Sequence, residues 1–310
     1  MKDARFNLVM AGLLAGIVVA YLALARAAQV SGGFSNVGGL LYDVALLTLV
    51  CAYTHYRELW KFYHVSQMLV WTMLAVVATV VLPQLAGRSP APLVDAGLAR
   101  LDGGLGFSTG AVVAAMSHFP VVRRVFSIAY GSLIPLILAS LFVPIFFGRE
   151  RDSQRYILSL TIAAIITALL FAMWPAIGPW VVYGFAPDPD QKMVQSYLLL
   201  LKSSAPVQFN SKGSCGVVSF PSFHVILAIC SAIALWNIPR IRYVVLAVAT
   251  AICISTLTTG WHYLVDIVGA VPVILVSHAI AARVCRPVAV SAPATESSAL
   301  PAPALMSAPE

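Results

Sequence analysis

Residues 221–282 read PSFHVILAICSAIALWNIPRIRYVVLAVATAICISTLTTGWHYLVDIVGAVPVILVSHAIAA. Three apolar blocks lie in this stretch, at about 221–237, 241–259 and 261–282, the first two joined by the turn Asn237-Ile238-Pro239-Arg240. Blocks of about twenty apolar residues match a hydrocarbon core ~30 Å thick. Working outward, further blocks occur at about 6–25, 38–55, 64–86, 124–147 and 154–174. The chain has 310 residues, 60% hydrophobic and 10% charged, too few charges to cover a water-soluble core. The expectation is an all-α, polytopic transmembrane helical bundle of about eight spans.

The segments between and around the blocks complete the plan. Residues 87–123 include LVDAGLARLDGGLGFSTGAVVAAMSHF, too polar and too broken by glycine to span. They predict a helix lying in the interface plane between the third and fourth spans. Residues 175–220 form a second long connection, with four prolines in its first half. From Arg286 the sequence turns Pro/Ala/Ser-rich and predicts a disordered tail. Three units follow: N-terminal transmembrane helices over 1–60, a transmembrane core over 61–285 and the tail over 286–310.

The net charge of +7 resides in basic residues scattered at the ends of apolar blocks, where they set topology. That pattern argues against a nucleic-acid partner. Lys2, Arg5, Arg57, Lys61, Arg149, Arg151, Arg155, Arg240, Arg242, Arg283 and Arg286 fall on one side, mostly in short loops and termini. Those on the other side lie mostly in the two long connections. Both termini are therefore expected in the cytoplasm and both long connections outside it. The protein is expected in a bacterial inner membrane or a plasma membrane. Five cysteines show no paired spacing and read as small hydrophobes.

Two polar clusters interrupt the apolar blocks. In Ser219-Phe220-Pro221-Ser222-Phe223-His224, proline suits the first turn of a helix and Ser219 its N-cap. The N–H groups of Ser222, Phe223 and His224 then fall among the unpaired donors of the helix start, a ready anion site. In Gly260-Trp261-His262-Tyr263-Leu264-Val265-Asp266, His and Asp four apart share a helical face. Asp266 can hold one ring nitrogen of His262 and leave the other free as nucleophile or base. A carboxylate among apolar residues is costly unless paired. Two crossings separate His224 from His262, so both face the same side. His55, His64, His118 and His278 read as interfacial or structural.

The combination of G…SFPSFH with GWHYLVDIVGA about forty residues later resembles the type 2 phosphatidic acid phosphatase superfamily. Within it, the likeness is to inositol phosphorylceramide synthases and related inositol-phosphotransferase-like membrane proteins. The strong motifs cover 213–270, with weaker agreement at LDGGLGF (101–107), around Tyr130 and at WPAIGP (174–179). The resemblance implies that His262 attacks phosphorus to give a phosphohistidine, that Asp266 orients it, and that His224 is the general acid and base. Ser222 and the local N–H groups, including that of Phe223, would hold phosphate oxygens. No metal or cofactor is implied. The implied partners are a phospholipid or lipid phosphate substrate, and an alcohol or lipid acceptor.

The sequence departs from the family pattern at two places. The KxxxxxxRP motif of the lipid phosphatases is absent, and of the Ser-Arg pair that opens the third motif only Ser255 is kept, with Thr256 in place of arginine. Lys202 is the first candidate for the missing cation and Lys212 the second; both also read as snorkelling interface lysines. Arg123-Arg124 and Arg100 with Asp102 read equally as headgroup contacts or interfacial anchors. The expected activity is transfer of a phosphoryl-linked group, inositol phosphate among the candidates, with hydrolysis the alternative. Two other classes compete. A proton- or ion-coupled transporter would show an internal repeat, and none is evident. An intramembrane protease using Ser222 would need a nucleophile-elbow context, which is missing.

Overall fold

In the computed structural model, residues 4–27, 30–31, 37–203, 205–208 and 216–286 are described. These residues are helical nearly throughout. α1 (Ala4–Ala27), α2 (Val37–Tyr56) and α3 (Trp60–Gly87) lead into two short helices, α4 (Asp95–Gly104) and α5 (Thr109–Ser117). α6 (Pro120–Gly131) and α7 (Leu133–Phe146) follow almost in line, then α8 (Glu150–Met173). The second long connection holds α9 (Trp180–Tyr183) and α10 (Pro189–Lys202), and α11 (Phe223–Leu235), α12 (Arg242–Thr258) and α13 (Leu264–Val284) close the bundle. A two-residue parallel pairing, β1 (Val30–Ser31) with β2 (Val207–Gln208), ties the α1–α2 connection to the segment after α10.

Among the described residues, five helical stretches are long and apolar enough to cross a membrane: 4–24, 60–87, 120–146, 150–173 and 264–284. α8 is the axis of the bundle. Buried residues make up 67% of its apolar window, against 33% or less in the other four. Glu150 and Asp152 in its first turn suit the positive end of the helix dipole. Asp152 also takes ion pairs from Arg149 at 2.7 Å and Arg155 at 3.3 Å. Around α8, the core gathers Met10 of α1, Met68 of α3, Leu141 of α7, Ile226 of α11 and Val273 of α13. Outward faces carry Leu8, Leu49, Ile134, Leu169 and Leu275, all exposed. Exposed apolar surface on that scale suits lipid rather than water.

Both long connections fold into helices. The 87–123 connection contains α4 and α5 rather than one helix, because Gly103-Gly104 and Gly106, the last at φ +73°, end α4. α10 was not foreseen. Its start has a capping box, Asp188 accepting from the Gln191 N–H at 2.8 Å and the Gln191 side chain accepting from the Asp188 N–H at 2.9 Å, with Pro189 following. The 287–310 tail lies outside the described residues.

Candidate active site

The helix ends reached by the two sequence clusters meet. α13 begins at Leu264, so His262 stands two residues ahead of it rather than on its face. Asp266, in the first turn, reaches back to the turn: its Oδ2 accepts from the Tyr263 N–H at 2.9 Å and lies 3.1 Å from His262 Nδ1. The Ser219 hydroxyl donates to the same oxygen at 3.1 Å. With Nδ1 held by the carboxylate, Nε2 is the nitrogen left to react. His262 and Asp266 are 2% and 0% exposed. Asp266 Oδ1 is buried with no hydrogen-bond partner among the described residues. A carboxylate so placed gains most when a positive charge develops on the adjacent ring, as it does when an imidazole nitrogen is phosphorylated.

The turn that carries His262 is fixed by its backbone. Gly260 sits at φ +76°, and a Cβ there would meet the Phe185 ring at 2.7 Å. The Thr256 carbonyl accepts from the N–H groups of both Trp261 and His262. The Thr256 backbone thereby helps shape the turn that carries His262. Thr109, at the start of α5, donates its hydroxyl to the His262 carbonyl at 3.2 Å.

At the second cluster Ser222, not Ser219, is the N-cap: its Oγ accepts from the Val225 N–H at 3.4 Å. Pro221 consequently precedes the helix instead of occupying its first turn. The Ser222 N–H donates to the Asp266 carbonyl at 3.1 Å, stitching the start of α11 to α13. A Cβ on Gly269 would lie 2.5 Å from the Phe220 ring, so this close approach requires glycine. The His224 ring lies across from His262, centroids 5.9 Å apart, and stacks on Tyr130 at 4.6 Å with a 24° interplanar angle. Tyr130 in turn stacks on Trp261 at 6.3 Å and 16°.

The two helix starts differ in what they leave free. At α13 the Leu264 and Val265 N–H groups donate to the carboxylate of Asp102, at 2.8 and 2.9 Å, and Asp266 takes that of Tyr263. Asp95, also on α4, accepts from the Ile177 and Gly178 N–H groups and from the Tyr263 hydroxyl at 3.1 Å. Burial pushes both α4 carboxyls up, against the pull of the backbone N–H groups that bind them. Carboxylates of the chain itself thus occupy the anion-binding end of α13. At α11 the first-turn amides of Phe223 and His224 have no intrahelical partner.

Lys202 is placed elsewhere. Its ammonium donates to the Ser89 carbonyl and hydroxyl and to the Ala91 carbonyl, at 2.7, 3.3 and 2.9 Å, and burial lowers its pKa. The Ser255 hydroxyl is taken by the Ile252 carbonyl at 2.6 Å. Lys212 lies outside the described residues. Among the described residues, no lysine or arginine forms a hydrogen bond or ion pair with His224, His262 or Asp266. No cluster of three or more His, Cys, Asp or Glu among them is arranged to hold a metal ion. Burial pushes His262 down to about 4, with the backbone hydrogen bond at Ser219 opposing, so its ring is neutral and nucleophilic at neutral pH.

Two apolar spaces adjoin this centre. A cavity of about 310 Å³ runs between α3, α7 and α8 and ends at Phe223, His224 and Leu227. A groove of about 560 Å³ lies under α4, lined by Leu98, Arg100, Leu101, Trp174, Phe220 and Val265. Asp95 and Thr109 carry no role in the sequence reading, Tyr130 only marks a region of weak family agreement, and Asp102 reads there, with Arg100, as a headgroup contact or an interfacial anchor, whereas the structure binds its carboxylate to the start of α13. The available signal was weak: two aspartates seven apart on a short helix, in a segment too polar to span.

A family model described as the PAP2 superfamily matches residues 96–280. No curated protein and no solved structure matches the chain.

Proposed function

We propose, from the premise that the chain belongs to the PAP2 superfamily, that it is an integral membrane phosphotransferase acting on a lipid phosphate or phospholipid headgroup through a phosphohistidine. The observation that carries this reading is the pairing of the His262–Asp266 contact at 3.1 Å with the neighbouring His224 ring, 5.9 Å away between ring centroids, at the end of an apolar cavity.

In the first half-reaction His262 Nε2 forms a bond to phosphorus as the bond from phosphorus to the lipid alcohol breaks. His224 gives its proton to the departing oxygen. In the second, His224 takes the proton of an acceptor hydroxyl, whose oxygen bonds to phosphorus while the N–P bond breaks and His262 is regenerated. The free amides of Phe223 and His224 and the hydroxyl of Ser222 hold the phosphoryl oxygens. Asp266 steadies the positive ring, and the apolar cavity takes the acyl chain. Lys212 and Arg100 are the cations to test as partners of the phosphate, since Lys202 is engaged with the 89–91 backbone.

The eight apolar helices, with α6 and α7 taken as one, are read as eight spans. α4 and α5 lie at the interface, and the site faces the extracytoplasmic side. The absent lysine motif and Thr256 favour transfer over hydrolysis, with inositol-phosphate and sphingolipid-type headgroups the first to try. Purified protein is incubated with headgroup-labelled phospholipid, with and without candidate alcohols. A labelled acceptor product supports transfer. Release of free phosphate or phospho-headgroup alone, whatever the alcohol, assigns hydrolysis instead.

A further inference from the structure

His224 has an unusual support for a general acid. Asp266 and the surrounding backbone hold His262 by hydrogen bonds, and the Ser219 hydroxyl donates in turn to Asp266. Neither ring nitrogen of His224 has a hydrogen-bond partner among the described residues. Its firm contact is the face of Tyr130, at 4.6 Å and 24°. Tyr130 lies in the last turn of α6, just before the break at Gly131-Ser132, while Leu133 and Ile134, just past the break, line the cavity that ends at His224. The other side of this aromatic column is Trp261, stacked on Tyr130 and set edge-on to Trp180 at 5.8 Å. Trp261 is the residue next to His262. One tyrosine therefore touches both the acid and the turn that bears the nucleophile.

We infer that Tyr130 is a positioning residue for His224, whose ring face sets the plane of the imidazole, so that the proton is aimed at the leaving oxygen. The inference rests on the proposed phosphoryl transfer. A π face attracts a cationic ring and holds a neutral one in stacked register, and both nitrogens remain free for substrate. A hydrogen-bonding partner would occupy one of them. The hydroxyl of Tyr130 has no part in this role; the ring does.

The test compares Tyr130→Leu and Tyr130→Phe on two substrates that differ in how much they need an acid. A lipid phosphate has a poor leaving group, whereas an aryl phosphate such as p-nitrophenyl phosphate departs with little protonation. Tyr130→Leu should lower kcat on the lipid about 10-fold, with KM moved less than about twofold. On the aryl ester the same variant should lose less than about threefold, and Tyr130→Phe should keep at least about half the wild-type rate on both. Equal losses on the two substrates, or a loss in Tyr130→Phe as deep as in Tyr130→Leu, would overturn the assignment.

A readout independent of turnover is NMR of histidine-labelled protein in detergent. The His224 ring protons should be shifted upfield by the tyrosine face, and the shift should vanish in Tyr130→Leu while the His262 signals stay in place. An unshifted His224 in the wild type overturns the inference. Absence of any phosphate chemistry in the wild type would instead sink the phosphotransfer reading and leave the ring-stacking result to be judged on its own.

Discussion

Removing Asp102 should damage the site from outside it. Its carboxylate is 0% exposed and accepts the N–H groups of Leu264 and Val265 at 2.8 and 2.9 Å. Hydrogen bonds to a charged acceptor contribute about 1.5–3 kcal/mol each, and loss of an N-cap costs about 0.5–2 kcal/mol. Repulsion between Asp102 and the neighbouring Asp266 offsets part of this. Asp102→Ala should therefore lower stability by about 2–4 kcal/mol, and Asp102→Asn, which keeps one acceptor oxygen and sheds the charge, by about half as much. Because Asp266 is the next residue after Val265, the same change should fray the turn that holds His262. The assay is thermal unfolding in detergent, with hydrogen exchange followed at residues 263–266. The expected result is a graded loss, alanine beyond asparagine, with faster exchange confined first to the start of α13. Unchanged unfolding and exchange in Asp102→Ala would refute the view that α4 caps α13.

The other expectations are shorter. Gly260→Ala forces a side chain into the left-handed region and against Phe185, so it should lose about 1–2 kcal/mol or more of stability and most turnover. Wild-type unfolding and rate would contradict it. Lys202→Ala should leave KM for a lipid phosphate within about twofold, since a lysine bound to backbone carbonyls is not holding substrate. A tenfold rise in KM would restore Lys202 as the phosphate partner. Burial holds His262 below its unfolded value of about 6.5, so the unfolded chain binds a proton that the folded chain refuses. Stability from this residue is full above that value and falls as pH drops toward about 4, by up to about 1.4 kcal/mol per unit. A melting series over that window should flatten in His262→Asn, and an unaltered slope would show that the pH dependence arises elsewhere.

Much of this was legible in the sequence because the strongest signals were local. Blocks of about twenty apolar residues need no partner to announce a helix in lipid, and His262 with Asp266 four residues on states its own pairing. The 87–123 connection divides into α4 and α5 because glycines at 103, 104 and 106 end the first, and α10 carries a capping signature in Asp188-Pro189-Asp190-Gln191. Contacts between distant segments were not legible. Asp102 lies 162 residues from Leu264 and Asp95 lies 168 from Tyr263, and nothing local distinguishes these carboxylates from interfacial ones. The helix start at 219–224 shows the same limit at short range. Pro221 suggested a first-turn position, but the N-cap falls at Ser222, and Ser219 is drawn to Asp266 on another helix.

The most direct measurement is to identify the phosphorylated atom. Protein is mixed with phosphate-labelled lipid, quenched during turnover in alkali, digested and mapped by mass spectrometry. The account predicts one acid-labile phosphate on His262, absent in His262→Ala and slow to form in His224→Ala. Phosphate on Ser222, or turnover that persists in His262→Ala, would contradict it.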